Sequence, residues 1–148
     1  MHRISGVNDI MPHTKKKNSI VATAPVLKLV PLKPGSFVAK VLDLSQPVLV
    51  GRQVTTGEPP LENNGVFNSL VLSRNHAIVL FENGKVLIRD TGSSNGTYLN
   101  GNRLSPEATE SALYELQSGD VLEFGVDFIS DDSSKGTRSL LPLPKGNL

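Results

Sequence analysis

One dipeptide limits the fold more than any other feature. Asn83-Gly84 separates the runs Ala77-Ile78-Val79-Leu80-Phe81-Glu82 and Lys85-Val86-Leu87-Ile88-Arg89-Asp90. Asn-Gly tolerates positive φ at both central positions of a two-residue turn, so the two runs should fold back on one another as a β-hairpin. A second Asn-Gly, Asn100-Gly101, stands between Thr97-Tyr98-Leu99 and Arg103-Leu104. Other β-type runs are Val26-Leu27-Lys28-Leu29-Val30, Phe37 to Leu44, Val48-Leu49-Val50, Leu113 to Leu116 and Val121 to Phe124, with Pro31, Pro34, Gly35 and Gly119 between them. No segment sustains a helical period. Many short strands divided by turn residues predict an all-β chain, an antiparallel β-sandwich whose loops gather at two ends.

Composition narrows what those loops can do. The 148 residues support one domain with tails. With 15 basic against 14 acidic residues the net charge is +1, so no global field recruits nucleic acid, and anion binding must be local. Trp is absent and aromatics are sparse, which weakens base stacking. Cysteine is absent, removing thiolate metal sites and Cys nucleophiles and fitting a reducing compartment. Neither a metal nor another cofactor is expected. No stretch is apolar enough to span a bilayer, and the start lacks the apolar core of a signal peptide. The expected location is cytoplasmic, without membrane contact within these residues. An anchor outside them would move it to the endoplasmic reticulum or nuclear envelope. Residues 1–24, with the run Lys15-Lys16-Lys17, read as a disordered arm, 25–130 as the folded domain, and 131–148 as a flexible tail.

Three segments bordering loops carry the chemistry: Gly51-Arg52, Ser73-Arg74-Asn75-His76, and Ser93-Ser94-Asn95-Gly96. A phosphorylated side chain brings nearly two negative charges and three acceptor oxygens. Arg answers it with a planar fork of donors. Arg52 follows a glycine at a strand end, Ser73 and Ser94 can donate hydroxyl hydrogens, and the Asn95 amide both donates and accepts. Each also has a plainer reading: a surface arginine in a weak ion pair, a serine bonding its own backbone, ordinary turn chemistry. Arg74 either adds a second cation or points to solvent. Ser73 with His76 invites a hydrolase reading, but no G-x-S-x-G elbow or orienting carboxylate is evident. His76 is better read as stiffening the loop by bonding its backbone. The irregular stretch from Gln53 to Asn68 either leans over a ligand or is a tolerated surface insertion.

In this order the motifs resemble the forkhead-associated (FHA) domain: Gly51-Arg52, Ser73-Arg74-Asn75-His76, Ser93-Ser94-Asn95-Gly96, Asn100-Gly101, and the closing Leu116 to Gly125. The likeness covers Pro25 to Ile129. It implies a sandwich of about eleven strands that binds phosphothreonine peptides and is not an enzyme. By that resemblance Arg52 and Ser73 hold the phosphate, Ser94 assists, and Asn95 grips the peptide backbone. Gly51, His76 and Gly96, with Asn100 and Gly101 behind them, shape the loops. Arg74 occupies a variable position. Val71 to Ala77, Ser93 to Thr97 and Leu116 to Asp127 look like the FHA domains of sarcolemmal membrane-associated proteins and fungal Far-complex subunits. That branch implies phosphorylated partners, protein kinases among them, within striatin-type phosphatase and kinase assemblies. Proteins of that branch add coiled coils and often a C-terminal membrane anchor. The alternative is a sandwich that scaffolds partners without regard to phosphate.

Overall fold

A computed structural model describes residues 4–11 and 24–125. Both Asn-Gly turns adopt the left-handed conformation their sequence allows. Asn83 and Gly84 have φ of 54° and 76°, and Asn100 and Gly101 have φ of 52° and 87°. In chain order the strands are β1 (Ile4–Met11), β2 (Val26–Pro31), β3 (Lys40–Asp43), β4 (Val48–Arg52), β5 (Val66–Phe67), β6 (Ala77–Glu82), β7 (Lys85–Asp90), β8 (Thr97–Leu99), β9 (Asn102–Arg103), β10 (Tyr114–Leu116) and β11 (Val121–Phe124). They form two sheets, ordered β3-β2-β1-β11-β8-β9 and β10-β7-β6-β4-β5. All pairs are antiparallel except β4 with β5, which run parallel. The architecture is the all-β sandwich that the turn pattern predicts.

Burial alternates along the strands, as a two-layer core requires. Val86, Ile88 and Asp90 of β7 face inward, as do Leu27 and Leu29 of β2 and Leu122 and Phe124 of β11. Phe67 joins the layers: its ring lies 5.2 Å from Phe37 and 6.2 Å from Phe124.

Two expectations are corrected. Residues 4–11, assigned on sequence to the arm, form β1 in the middle of the six-stranded sheet. β1 pairs with β2 on one side and β11 on the other. Gly6, Asn8 and Asp9 hide its β character, because none is a strand former. Gly6 is needed there, since a Cβ would stand 2.7 Å from the Val30 carbonyl oxygen. The run beginning at Phe37 enters the sheet only at Lys40, leaving Val38 74% exposed. The stretch from Gln53 to Asn68 is anchored to the sheets at both sides. Lys40 Nζ donates to the Leu61 carbonyl at 2.6 Å and the Val41 N–H to the Glu62 carbonyl at 2.7 Å. Asn64 Oδ1 accepts the N–H groups of Leu61 and Val66. The stretch therefore ties the β3 edge of one sheet to the β5 edge of the other. The Lys15–Lys17 run and the tail at 131–148 lie outside the described residues.

Candidate functional site

The loop end is assembled by backbone bonds around Ser73. The Arg52 N–H donates to the Ser73 carbonyl at 3.0 Å, and the His76 N–H to the Val50 carbonyl at 2.9 Å. The end of β4 thus docks directly on the 73–76 loop. Only glycine permits this approach: a Cβ on Gly51 would fall 1.8 Å from the Arg74 carbonyl oxygen. Ser94 then joins from the other loop, its N–H donating to Ser73 Oγ at 3.1 Å. Asn95 Nδ2 donates to the Val71 carbonyl at 2.9 Å. Arg52, Ser73, Ser94 and Asn95 are therefore brought to one end of the sandwich, although 43 positions separate the first from the last.

His76 lies beneath them, fully buried, its ring edge-on to Phe124 at 5.5 Å. Nδ1 accepts the Ser73 N–H at 3.0 Å, so the proton must sit on Nε2, which donates to the Gly96 carbonyl at 2.9 Å. The ring joins the two loops by their backbones. Burial lowers its pKa; the Gly96 carbonyl and the Asp90 charge oppose that, and Arg103 adds to it. Gly96 needs its left-handed φ of 93° and also accepts the Gly125 N–H. Asn100 and Gly101 form the turn between β8 and β9. Asn100 Oδ1 accepts the Val121 N–H and its Nδ2 reaches Asp120, bracing the hairpin behind the site.

Sequence reasoning missed two contributors. Asp90 is 1% exposed, and its carboxylate accepts four bonds: Gly92 N–H and Ser93 N–H at Oδ1, Ser93 Oγ and Thr97 Oγ1 at Oδ2. An aspartate followed closely by Gly-Ser marks such a self-capped turn, and that signal was available in Asp90-Thr91-Gly92-Ser93. Arg103 donates from Nε to the Ser105 carbonyl and from Nη2 to the Ser94 carbonyl. Nothing local to β9 announces that role.

What remains uncommitted defines the chemistry. Among the described residues the guanidinium groups of Arg52 and Arg74 pair with nothing. Ser73 Oγ accepts one bond and keeps its own hydrogen to give, and Ser94 Oγ is exposed. Asn95 has Nδ2 engaged and Oδ1 open. Two cations, two hydroxyl donors and one amide acceptor thus belong to segments joined at one end of the sandwich, a set of groups suited to an anion carried on an extended chain. Among the described residues no group of three or more acidic or histidine side chains is placed to hold a metal ion.

Comparison with known proteins identifies the family. The FHA domain model matches residues 48–125, just over half of the chain. The chain is 43% identical over 100 residues to sarcolemmal membrane-associated protein of Oryctolagus cuniculus, covering 66% of this chain and 13% of that protein. It is 39% identical over 82 residues to a probable E3 ubiquitin-protein ligase, dma1, of Schizosaccharomyces pombe, covering 55% of this chain and 31% of that one. The matched region is thus a small part of those longer relatives. Among solved structures, full-length yeast Pml1p is similar at 26% identity and a TM-score of 0.47, covering 83% of this chain and 72% of that chain. The chain belongs to the FHA domain family, whose members are protein-interaction modules that in general bind phosphopeptides.

Proposed function

We propose that this chain reads phosphothreonine in an extended peptide laid across the loop end of the sandwich. The observation that supports it is the convergence on Ser73: Arg52 bonds its carbonyl and Ser94 its hydroxyl, while the charged and hydroxyl donors stay open. In this reading Arg52 and Ser73 bind the phosphate oxygens, with Ser94 and Arg74 beside them. Asn95 Oδ1 accepts a peptide N–H, while the Nδ2 bond to the Val71 carbonyl holds the amide in place. The role is binding rather than turnover. Both ring nitrogens of His76 are engaged by backbone groups, so the ring is not available to deprotonate Ser73.

Hydrogen bonds to charged groups contribute roughly 1.5 to 3 kcal/mol each, so two or three of them approach the roughly −8 kcal/mol of a micromolar complex. Preference for threonine over serine through burial of one methyl amounts to about 0.8 kcal/mol, or roughly fourfold. The partners we assign are phosphorylated proteins, protein kinases included, in a striatin-type phosphatase and kinase assembly; the motif likeness to sarcolemmal membrane-associated proteins supports that choice.

Calorimetry with a phosphothreonine peptide library and unphosphorylated twins tests the reading. The phosphorylated members should bind at least tenfold more tightly, and Arg52→Ala should remove most of that difference without lowering thermal stability. Equal affinity for both twins rejects it in favour of phosphate-independent scaffolding.

A further inference from the structure

Lys40 is a buried cation that the loop-end site does not use. It is 3% exposed, its Nζ donating to the Leu61 carbonyl and lying 4.7 Å from the centre of the Phe67 ring. Among the described residues no carboxylate pairs with it, and burial lowers its pKa. Desolvating an ammonium group against one carbonyl and one ring is costly, and an anion is its natural complement. An ammonium has three hydrogens to donate, and the carbonyl takes one.

Lys40 also lines a half-open cavity of about 850 Å³ between β3 and the 60–68 stretch, together with Phe37, Val38, Leu61, Val66 and Phe67. Val38 and Leu61 are 74% and 46% exposed, which makes its mouth apolar. Glu62 is on the rim, but it is exposed and outside ion-pair distance of Lys40. Arg52, Ser73, Ser94 and Asn95 take no part in it. Ser36, Asn63 and Asn68 also line it, and Lys40 is its one buried cation; largely apolar walls with a few placed polar groups, at this volume, are the ordinary make-up of a small-ligand site.

We propose that this groove binds an amphiphilic carboxylate, its head paired with Lys40 Nζ and its hydrocarbon chain lying along Val38, Leu61 and Val66. The carboxylate is singled out over an alcohol or amine head because the floor of the groove carries one uncompensated positive charge.

Titration of the full chain with decanoate and decanol below their aggregation limits, followed by methyl NMR, tests the site. Decanoate should shift the Val38, Leu61 and Val66 methyl resonances saturably, at least about tenfold more tightly than decanol, as a charge-assisted bond implies. Lys40→Met should abolish that preference. Should Lys40→Met not fold, Val38→Glu carries the test: its position is exposed, and the added negative charge at the mouth should weaken decanoate more than decanol. Unmoved methyl resonances, equal affinity for the two probes, or an unchanged preference in the variants would overturn the proposal.

Discussion

His76 fits its surroundings only as a neutral ring, because the Ser73 N–H needs an acceptor at Nδ1. Protonation would set two donors against each other in a buried space. With the folded pKa lowered below the ordinary 6.5, the unfolded chain binds the extra proton first. The stability the ring contributes is therefore complete above about pH 6.5 and is lost as pH falls below that value towards the folded pKa. Thermal melts should show a falling midpoint over that interval, and the His76 ring resonances in NMR should titrate below 6.5. A ring that titrates at or above its ordinary value contradicts this account. Asp90 acts at the same scale. Asp90→Ala would strand four donors, two of them backbone N–H groups, each costing roughly 1 to 3 kcal/mol when left unsatisfied in the interior. Chemical denaturation should report a loss of roughly 3 kcal/mol or more, with faster amide exchange at Ser93 and Gly96.

At the scale of elements, two glycines act by different physics. Gly84 has φ of 76° and open space where a Cβ would stand, so Gly84→Ala meets only backbone strain. That substitution should cost about 1 kcal/mol and leave phosphopeptide affinity unchanged. Gly51 faces the Arg74 carbonyl, and a methyl there forces β4 away from the 73–76 loop. Gly51→Ala should therefore reduce phosphopeptide affinity by tenfold or more even though the Arg52 side chain is intact. Calorimetry on the two variants in parallel separates the cases, and normal binding by Gly51→Ala would count against the docked strand end as the source of Arg52 placement.

At the scale of the molecule, β1 bonds both β2 and β11, so the six-stranded sheet is continuous only through it. Deleting residues 1–11 exposes two unpaired strand edges at the centre of the sheet. The truncated chain should melt at lower temperature and associate at higher concentration, as calorimetry and light scattering would show; an unchanged melt would mean β1 is dispensable. The strands around Asn83-Gly84 and Asn100-Gly101 were legible in the sequence because a tight turn is a local matter of φ, and alternating apolar residues display a strand directly. The residue types of the loop end were legible for a similar reason: Arg52, Ser73, Ser94 and Asn95 each stand in a turn-forming context. β1 escaped notice because Gly6, Asn8 and Asp9 interrupt its apolar pattern, and its pairing is with strands distant in sequence. The parallel pairing of β5, the engagement of both loops by His76, the reach of Arg103 to Ser94 and the burial of Lys40 were likewise out of view. Local steric and propensity rules belong to the chain, so its order of residues alone determined the turns and the strands with a clear apolar pattern. Which distant groups share a rim, a bond or a cavity depends on sheet order and register, and only the packed sandwich decided that.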